Sequence, residues 1–275
     1  TGLLHSCLLK PYLLIEMKII KNRMILSQAL GQYLERVSVH KKGFAQERYR
    51  IAPILSHDIS KLYLDEISSV DIASYRDDRL AIYSVKTKRP LSPNTVRLEL
   101  ALLSDLFSIA QIEWGACLEN PVSLVRKPRL PDGRDRRLRP REEGKLLRAA
   151  LARKNPEVYS IIVIAIETGM RQGEILGMRW ENLDMRLGVA HLLQTKNGSK
   201  RDVPLTVRAR EAFSRLGVQQ DGPIFHYTPS GFKSIWKAMI RRLGITDLHF
   251  HDLRHEAISR MFELGTLDTV SYTHL

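Results

Sequence analysis

A basic, proline-broken stretch in the middle of the chain most limits how it can fold. Between Pro121 and Glu142, Arg126, Lys127, Arg129, Arg134, Arg136, Arg137, Arg139 and Arg141 face only Asp132 and Asp135, and Pro128, Pro131, Gly133 and Pro140 interrupt the run. No apolar period passes through it, so neither a helix nor a strand can be carried across. It reads as a linker, and it splits a 275-residue chain into two bodies, each long enough to bury a core. The expected boundaries are a helical domain over 24–122, a basic linker over 123–140 and a second domain over 141–268. Residues 1–23 are expected to be a non-native or disordered leader, because Thr1 is not an initiator and Met17 and Met24 both stand downstream.

On the N-terminal side Leu30, Tyr33, Leu34 and Val37 fall on one helical face. Further helical patterns cover Glu47–Leu55 and Ser69–Tyr83. A long one, capped by Asn94 or Thr95, carries Val96, Leu100, Leu103 and Phe107 and stops near Gly115. Beyond the linker, helical sequence covers Glu142–Arg153, Pro156–Glu167, Arg171–Trp180, Arg208–Leu216, Ser230–Leu243 and Asp252–Leu264. Asn197-Gly198 lies between extended apolar runs at Gly188 and Arg201, which predicts a hairpin, because both turn residues tolerate positive φ. The predicted class is mainly α: a helical domain followed by an α+β domain with one small antiparallel element.

The charge balance bears on function. With 43 Lys+Arg against 30 Asp+Glu, the net charge is +13, which favours a polyanionic partner, most commonly nucleic acid. The linker arginines are either solvated or laid along phosphates, and their place between two domains favours the second. Lys41, Lys42, Arg97, Arg126, Lys127, Arg136, Arg137, Lys200 and Arg201 are the candidate DNA contacts. Cys7 and Cys117 are far apart and lack metal-ligand spacing, which argues against a disulfide framework and a zinc site and suits a reducing cytosol. No apolar run approaches membrane-span length.

Three clusters carry possible chemistry. In Glu167-Thr-Gly-Met-Arg171-Gln-Gly-Glu174, Gly169 permits a turn and Arg171 shares a face with Glu174; by itself this is as readily a surface ion pair. Lys196 stands just before the predicted hairpin turn, where a lysine is either solvated or placed to deliver a proton. His251 and Arg254 are three apart in His251-Asp-Leu-Arg254-His255, and such a histidine can equally be a cap. Metal binding is disfavoured, since His249, His251 and His255 lack a matching carboxylate or cysteine set. Together, two arginines, a lysine and a histidine describe a metal-free phosphodiester site lacking only a nucleophile. Two guanidiniums can hold the non-bridging oxygens, a lysine can protonate the leaving oxygen and a histidine can accept a proton.

These residues bear a resemblance to the tyrosine recombinases, or phage integrases. Thr168-Gly-Met-Arg171-x-Gly-Glu174 resembles their first arginine box, Thr195-Lys196-Asn-Gly their hairpin lysine, and His251-Asp-Leu-Arg254-His255 their His-x-x-Arg box. The first half resembles their core-binding domain, and within the family the likeness is to recombinases that invert DNA at shufflons. The resemblance runs from about Ser27 to Asp268. It implies a C-shaped clamp around duplex DNA, a homotetramer on paired sites, no cofactor, and attack by a tyrosine to leave a 3′-phosphotyrosine. Carried over by position, Arg171 and Arg254 clamp the phosphate, Lys196 is the general acid, His251 accepts the proton, and Glu174 and His255 support them. The implied setting is the cytoplasm of a bacterium, on a phage- or plasmid-borne gene, with the protein on the nucleoid.

The resemblance fails at the C-terminus. After Gly265-Thr-Leu-Asp268 the expected Gly-His box is missing, and Tyr272-Thr-His-Leu275 imitates the family's nucleophile without the sequence that would position it. Val270-Ser-Tyr-Thr-His-Leu275 also matches the translation of a transposase mosaic-end adapter. Residues 269–275 are therefore expected to be adapter-derived, the other reading being an internal deletion, and the chain is expected to be a truncated, inactive recombinase. The alternative functions are a DNA-binding protein that does not cut and a relative of type IB topoisomerases.

Overall fold

A computed structural model describes residues 22–84, 88–193 and 200–265. The chain forms two compact units, dividing between Asp132 and Gly133.

In the first unit, helices α1 (Leu26–Arg36), α2 (Phe44–Leu55), α3 (Ser69–Ala81) and α4 (Pro93–Ile112) enclose one core. Leu26, Ala29, Leu30 and Tyr33 of α1 are fully buried, at the three-to-four spacing that puts them on one stripe. α4 begins earlier than the pattern suggested: Ser92 Oγ accepts from the amide of Asn94 at 3.3 Å. Pro93 takes the first helical position, where its fixed φ and missing N–H cost nothing. The expected linker does not begin at 123. Pro121, Val122 and Val125 are buried in this unit, and the carbonyls of Arg126 and Pro128 accept from Arg76 and Arg97 at 2.9 and 3.1 Å.

The second unit contains α5 (Glu142–Leu151), α6 (Glu157–Thr168), α7 (Gln172–Leu176), α8 (Val207–Ser214), α9 (Pro229–Arg242) and α10 (Asp252–Glu263). Its strands are β1 (Leu183–Asp184), β2 (Val189–Leu192) and β3 (Arg201–Pro204), antiparallel in the order β1-β2-β3. Ala190 pairs with Val203 and Leu192 with Arg201; the predicted Asn197-Gly198 turn lies outside the described residues. α6 is the central element, packing against α5, α7, α8 and α10. Its Ile161–Ile166 run is buried on every side. Each β-branched residue there gives up at most about 0.7 kcal/mol of helix propensity, against roughly 1.5–3 kcal/mol from burial, so packing wins.

The sequence pattern continued a helix from Arg171 to Trp180, but α7 stops at Leu176. Beyond it the backbone bonds elsewhere: Met178 O accepts from Ile224 N at 3.0 Å, and Trp180 N donates to Gly222 O at 2.9 Å. Those distant partners replace the i+4 amide and the i−4 carbonyl that a longer helix would supply. Among the described residues no helix is long and apolar enough to cross a membrane.

Candidate functional site

The site starts where α6 ends. Gly169 closes that helix with φ +63°, a left-handed conformation that an L side chain rarely adopts. A Cβ here would stand 3.5 Å from Ala257 Cβ and 3.9 Å from the Arg254 carbonyl oxygen, so the turn lies directly against α10. Arg254, on α10, donates from Nη1 to the Gly169 carbonyl. It is only 7% exposed, and no carboxylate pairs with it among the described residues. Its pKa is held below the ordinary arginine value by burial first, then by repulsion from Arg171 and Arg201, with Glu174 opposing. A guanidinium in that state stays charged.

Two residues beyond Gly169 the chain enters α7 with Arg171 at the N-cap. The Arg171 amide donates to Glu174 Oε2 at 2.8 Å, and its Nη1 donates to Oε1 at 3.0 Å. Arg201, the first residue of β3, donates from Nη2 to Glu174 Oε2 at 2.7 Å. Burial works to raise the Glu174 pKa, but the Arg171 amide and the charges of Arg201 and Arg171 outweigh it and hold it low. One carboxylate thus holds two guanidiniums directly, with Arg254 close enough to feel all three.

His251 precedes α10 at its N-cap, exposed, with its ring edge-on to His255 at 5.2 Å. Its pKa lies below the usual histidine value through loss of water on its protein-facing side, then through His255, Arg254 and Arg171, with Asp252 opposing. A neutral imidazole can accept a proton. The fold therefore gathers Arg171, Glu174, His251, Arg254 and His255 from segments far apart in sequence. Lys196 and Tyr272 lie outside the described residues.

Arg201 was singled out from sequence as a DNA contact, and its tie to Glu174 was missed. The signal was present in the strand period: Arg201 and Val203 share one face of β3, and Val203 is buried. Lys200, Lys42, Arg126 and Lys127 are exposed. Arg97 is half-buried through its bond to Pro128.

Three other candidate contacts, Lys41, Arg136 and Arg137, and the neighbouring linker residue Arg134 are engaged by carboxylates of the fold. Lys41 donates to Tyr33 Oη at 2.6 Å, Asp105 at 2.8 Å and Glu47 at 3.2 Å, filling all three of its N–H donors. Arg136 donates to both oxygens of Glu142 at 2.8 and 2.9 Å and is 10% exposed. Arg137 holds Glu256 at 3.1 Å and also Glu263, while Arg134 holds Asp252 and Asp247 at 2.9 Å. Arg134 and Arg137 thereby brace α10, the helix carrying Arg254, while Arg136 braces the start of α5. The partners were readable as an acidic stripe, since Asp252, Glu256 and Glu263 recur at four and seven residues along one face of α10. Among the described residues no group of three or more His, Cys, Asp or Glu side chains is placed to hold a metal ion.

Comparison with known proteins follows the same lines. The model of the phage integrase family matches residues 136–272. A shufflon-specific DNA recombinase of Escherichia coli is 56% identical over 248 residues, which cover 90% of this chain and 64% of that protein. The chain thus spans less than two thirds of that relative's length. A putative integrase/recombinase of Haemophilus influenzae is 30% identical over 86% of this chain and 78% of its own. Among solved structures, the Tn1549 transposon integrase in complex with circular intermediate DNA superposes with a TM-score of 0.72 at 17% identity, covering 91% of each chain. A lambda integrase tetramer bound to a Holliday junction gives 0.66 at 20% identity, over 91% of this chain and 75% of that one. At these identities the two structures speak for the fold.

Proposed function

The chain belongs to the phage integrase family, and from that premise we propose that its full-length gene product serves site-specific DNA recombination, breaking and rejoining DNA through a 3′-phosphotyrosine intermediate. The observation that carries this reading is Arg254: a buried guanidinium beside two others, with no carboxylate of its own among the described residues. Burying a charge is costly unless something pairs with it, and a phosphodiester supplies that counter-charge.

Arg171 and Arg254 then take the non-bridging oxygens as negative charge grows on the pentacoordinate phosphorus. A tyrosine hydroxyl forms the new P–O bond as the bond to the 5′ oxygen breaks. His251 accepts the proton the tyrosine loses, and Lys196 gives one to the departing 5′ oxygen. Glu174 and His255 hold the clamp and the histidine in place. The covalent link conserves the energy of the phosphodiester, so the 5′ hydroxyl can reverse the step without ATP. The high identity to the E. coli relative favours inversion of DNA segments as the outcome, and assembly on paired sites as a tetramer follows the arrangement seen for lambda integrase.

The test is a nicked duplex that traps cleavage, incubated with the full-length gene product. The expected result is a covalent protein–DNA adduct stable to denaturant. Salt-sensitive DNA binding with no adduct would replace this reading with that of a binding protein that does not cut.

A further inference from the structure

We propose that Arg201 is a positioning residue of the phosphate site, fixing the Arg171 guanidinium through the carboxylate they share on Glu174. This rests on the phosphodiester reading and extends it to a residue outside the arginine, lysine and histidine boxes.

The geometry divides the labour between the two arginines. Glu174 is 7% exposed and has both oxygens engaged: Oε1 by Arg171 Nη1, Oε2 by the Arg171 amide and by Arg201 Nη2. Arg171 keeps 31% of its side chain open, whereas Arg201 keeps 15%. Arg171 therefore faces the ligand, and Arg201 grips the carboxylate from the strand behind it. Without Arg201, the amide and Nη1 donors that remain on Glu174 both come from Arg171 itself, so the carboxylate is no longer anchored to the sheet and can swing with the residue it is meant to hold. β3 is paired to β2, with Arg201 opposite Leu192, which makes the anchor rigid. The same strand follows the segment bearing Lys196, so one ion pair ties the hairpin to the turn that presents Arg171. Small displacements of a clamp cost far more in the transition state than in the encounter with DNA.

The experiment compares Arg201→Met, Arg201→Lys, Glu174→Gln and the double variant Arg201→Met/Glu174→Gln in the 275-residue chain. Inorganic orthovanadate is the phosphate probe, titrated by calorimetry; duplex DNA is titrated separately at several salt concentrations, and thermal unfolding shows that each variant is folded. Arg201→Met is expected to weaken orthovanadate about tenfold while leaving DNA affinity and its salt slope unchanged. Arg201→Lys keeps the charge, is expected to recover part of the loss, and carries the test should the Met variant not fold. In the double variant the losses are expected not to add, because both substitutions remove one interaction.

Unchanged orthovanadate binding, or additive losses, would overturn the proposal. Weaker DNA binding with a salt slope reduced by about one would make Arg201 a backbone contact and overturn it as well. A folded wild-type chain that does not bind orthovanadate would remove the phosphate reading itself, a result distinguishable from all of these because it precedes any substitution.

Discussion

Glu99 in the first unit and Glu174 in the second are both sunk among arginines, and the two do opposite things. In the first unit Glu99, 1% exposed, accepts from Arg79 Nε and Nη2 at 2.9 and 2.8 Å and from Tyr75 Oη at 2.9 Å. One negative charge meets one positive charge, and all three donors point inward. In the second unit Glu174 meets Arg171 and Arg201 directly, with Arg254 beside them, so positive charge is in excess. Set beside Glu99, the Glu174 cluster has more cations than its one carboxylate answers, which on the proposed reading is what leaves charge for a ligand. A balanced cluster holds the fold together; an unbalanced one keeps unspent field for a ligand.

The comparison breaks first if Glu99 turns out to be dispensable. Glu99→Ala leaves Arg79 buried without a partner and is expected to cost about 3–5 kcal/mol, read as a lowered urea midpoint. Adduct formation per folded molecule should be unaffected. Arg254→Met is the mirror case. Covalent adduct formed on nicked DNA by the full-length gene product is expected to fall at least about a hundredfold, while the unfolding midpoint changes far less than for Glu99→Ala. Equal damage to stability from both substitutions would erase the distinction.

Gly169→Ala sharpens the claim that the turn positions Arg254. The left-handed φ costs a side chain about 1–2 kcal/mol, and the new methyl meets Ala257 at 3.5 Å, so urea unfolding should show a loss of that size. A normal midpoint would mean that the turn relaxes freely.

Acid should separate the units. Burial works to raise the pKa values of Glu143, Asp252 and Glu256, but bonds from Arg260, Arg208, Arg134 and Arg137 outweigh it and leave them below their ordinary values. Depressed carboxylates contribute stability that is fully present above the unfolded value of about 4 and disappears as pH falls through the folded value. Asp71 and Asp105 are held low in the first unit too, but they are not buried as Asp252 and Glu256 are, so the second unit is expected to lose native structure at a higher pH than the first when followed by hydrogen exchange. Loss of the first unit ahead of it would contradict the reading of these pairs as braces for α10. Smallest of all is Lys61→Ala, which removes a solvent-exposed pair with Asp58 at 2.7 Å; no measurable change in midpoint is expected.

The helices were legible because apolar stripes at α1, α4 and α6 report burial directly, and the β2–β3 pairing followed from alternation around Asn197-Gly198. Strand β1 was not legible, being two residues long and defined only by its partners Ala190 and Val189. The end of α7 was not either, since Gly222 and Ile224, more than forty residues away in sequence, take the bonds that would have extended it. In the candidate site the Arg171, His251 and Arg254 motifs stood out, whereas the carboxylate partners of Arg136, Arg137 and Lys41 did not. Their positive charge was visible, but the carboxylates that absorb it were not adjacent.

By itself, then, the sequence determined two helical bodies, a small hairpin and the set of cationic residues from which a phosphate site can be built. All of these depend on local periodicity and residue type. Only the tertiary structure decided which cations are spent and which are left over. Arg137 finds Glu256 across 119 residues, Arg254 reaches Gly169 across 85, and Arg201 reaches Glu174 across 27. Charge neutralisation is a property of who meets whom in space, and a linear pattern records the charges without the meetings.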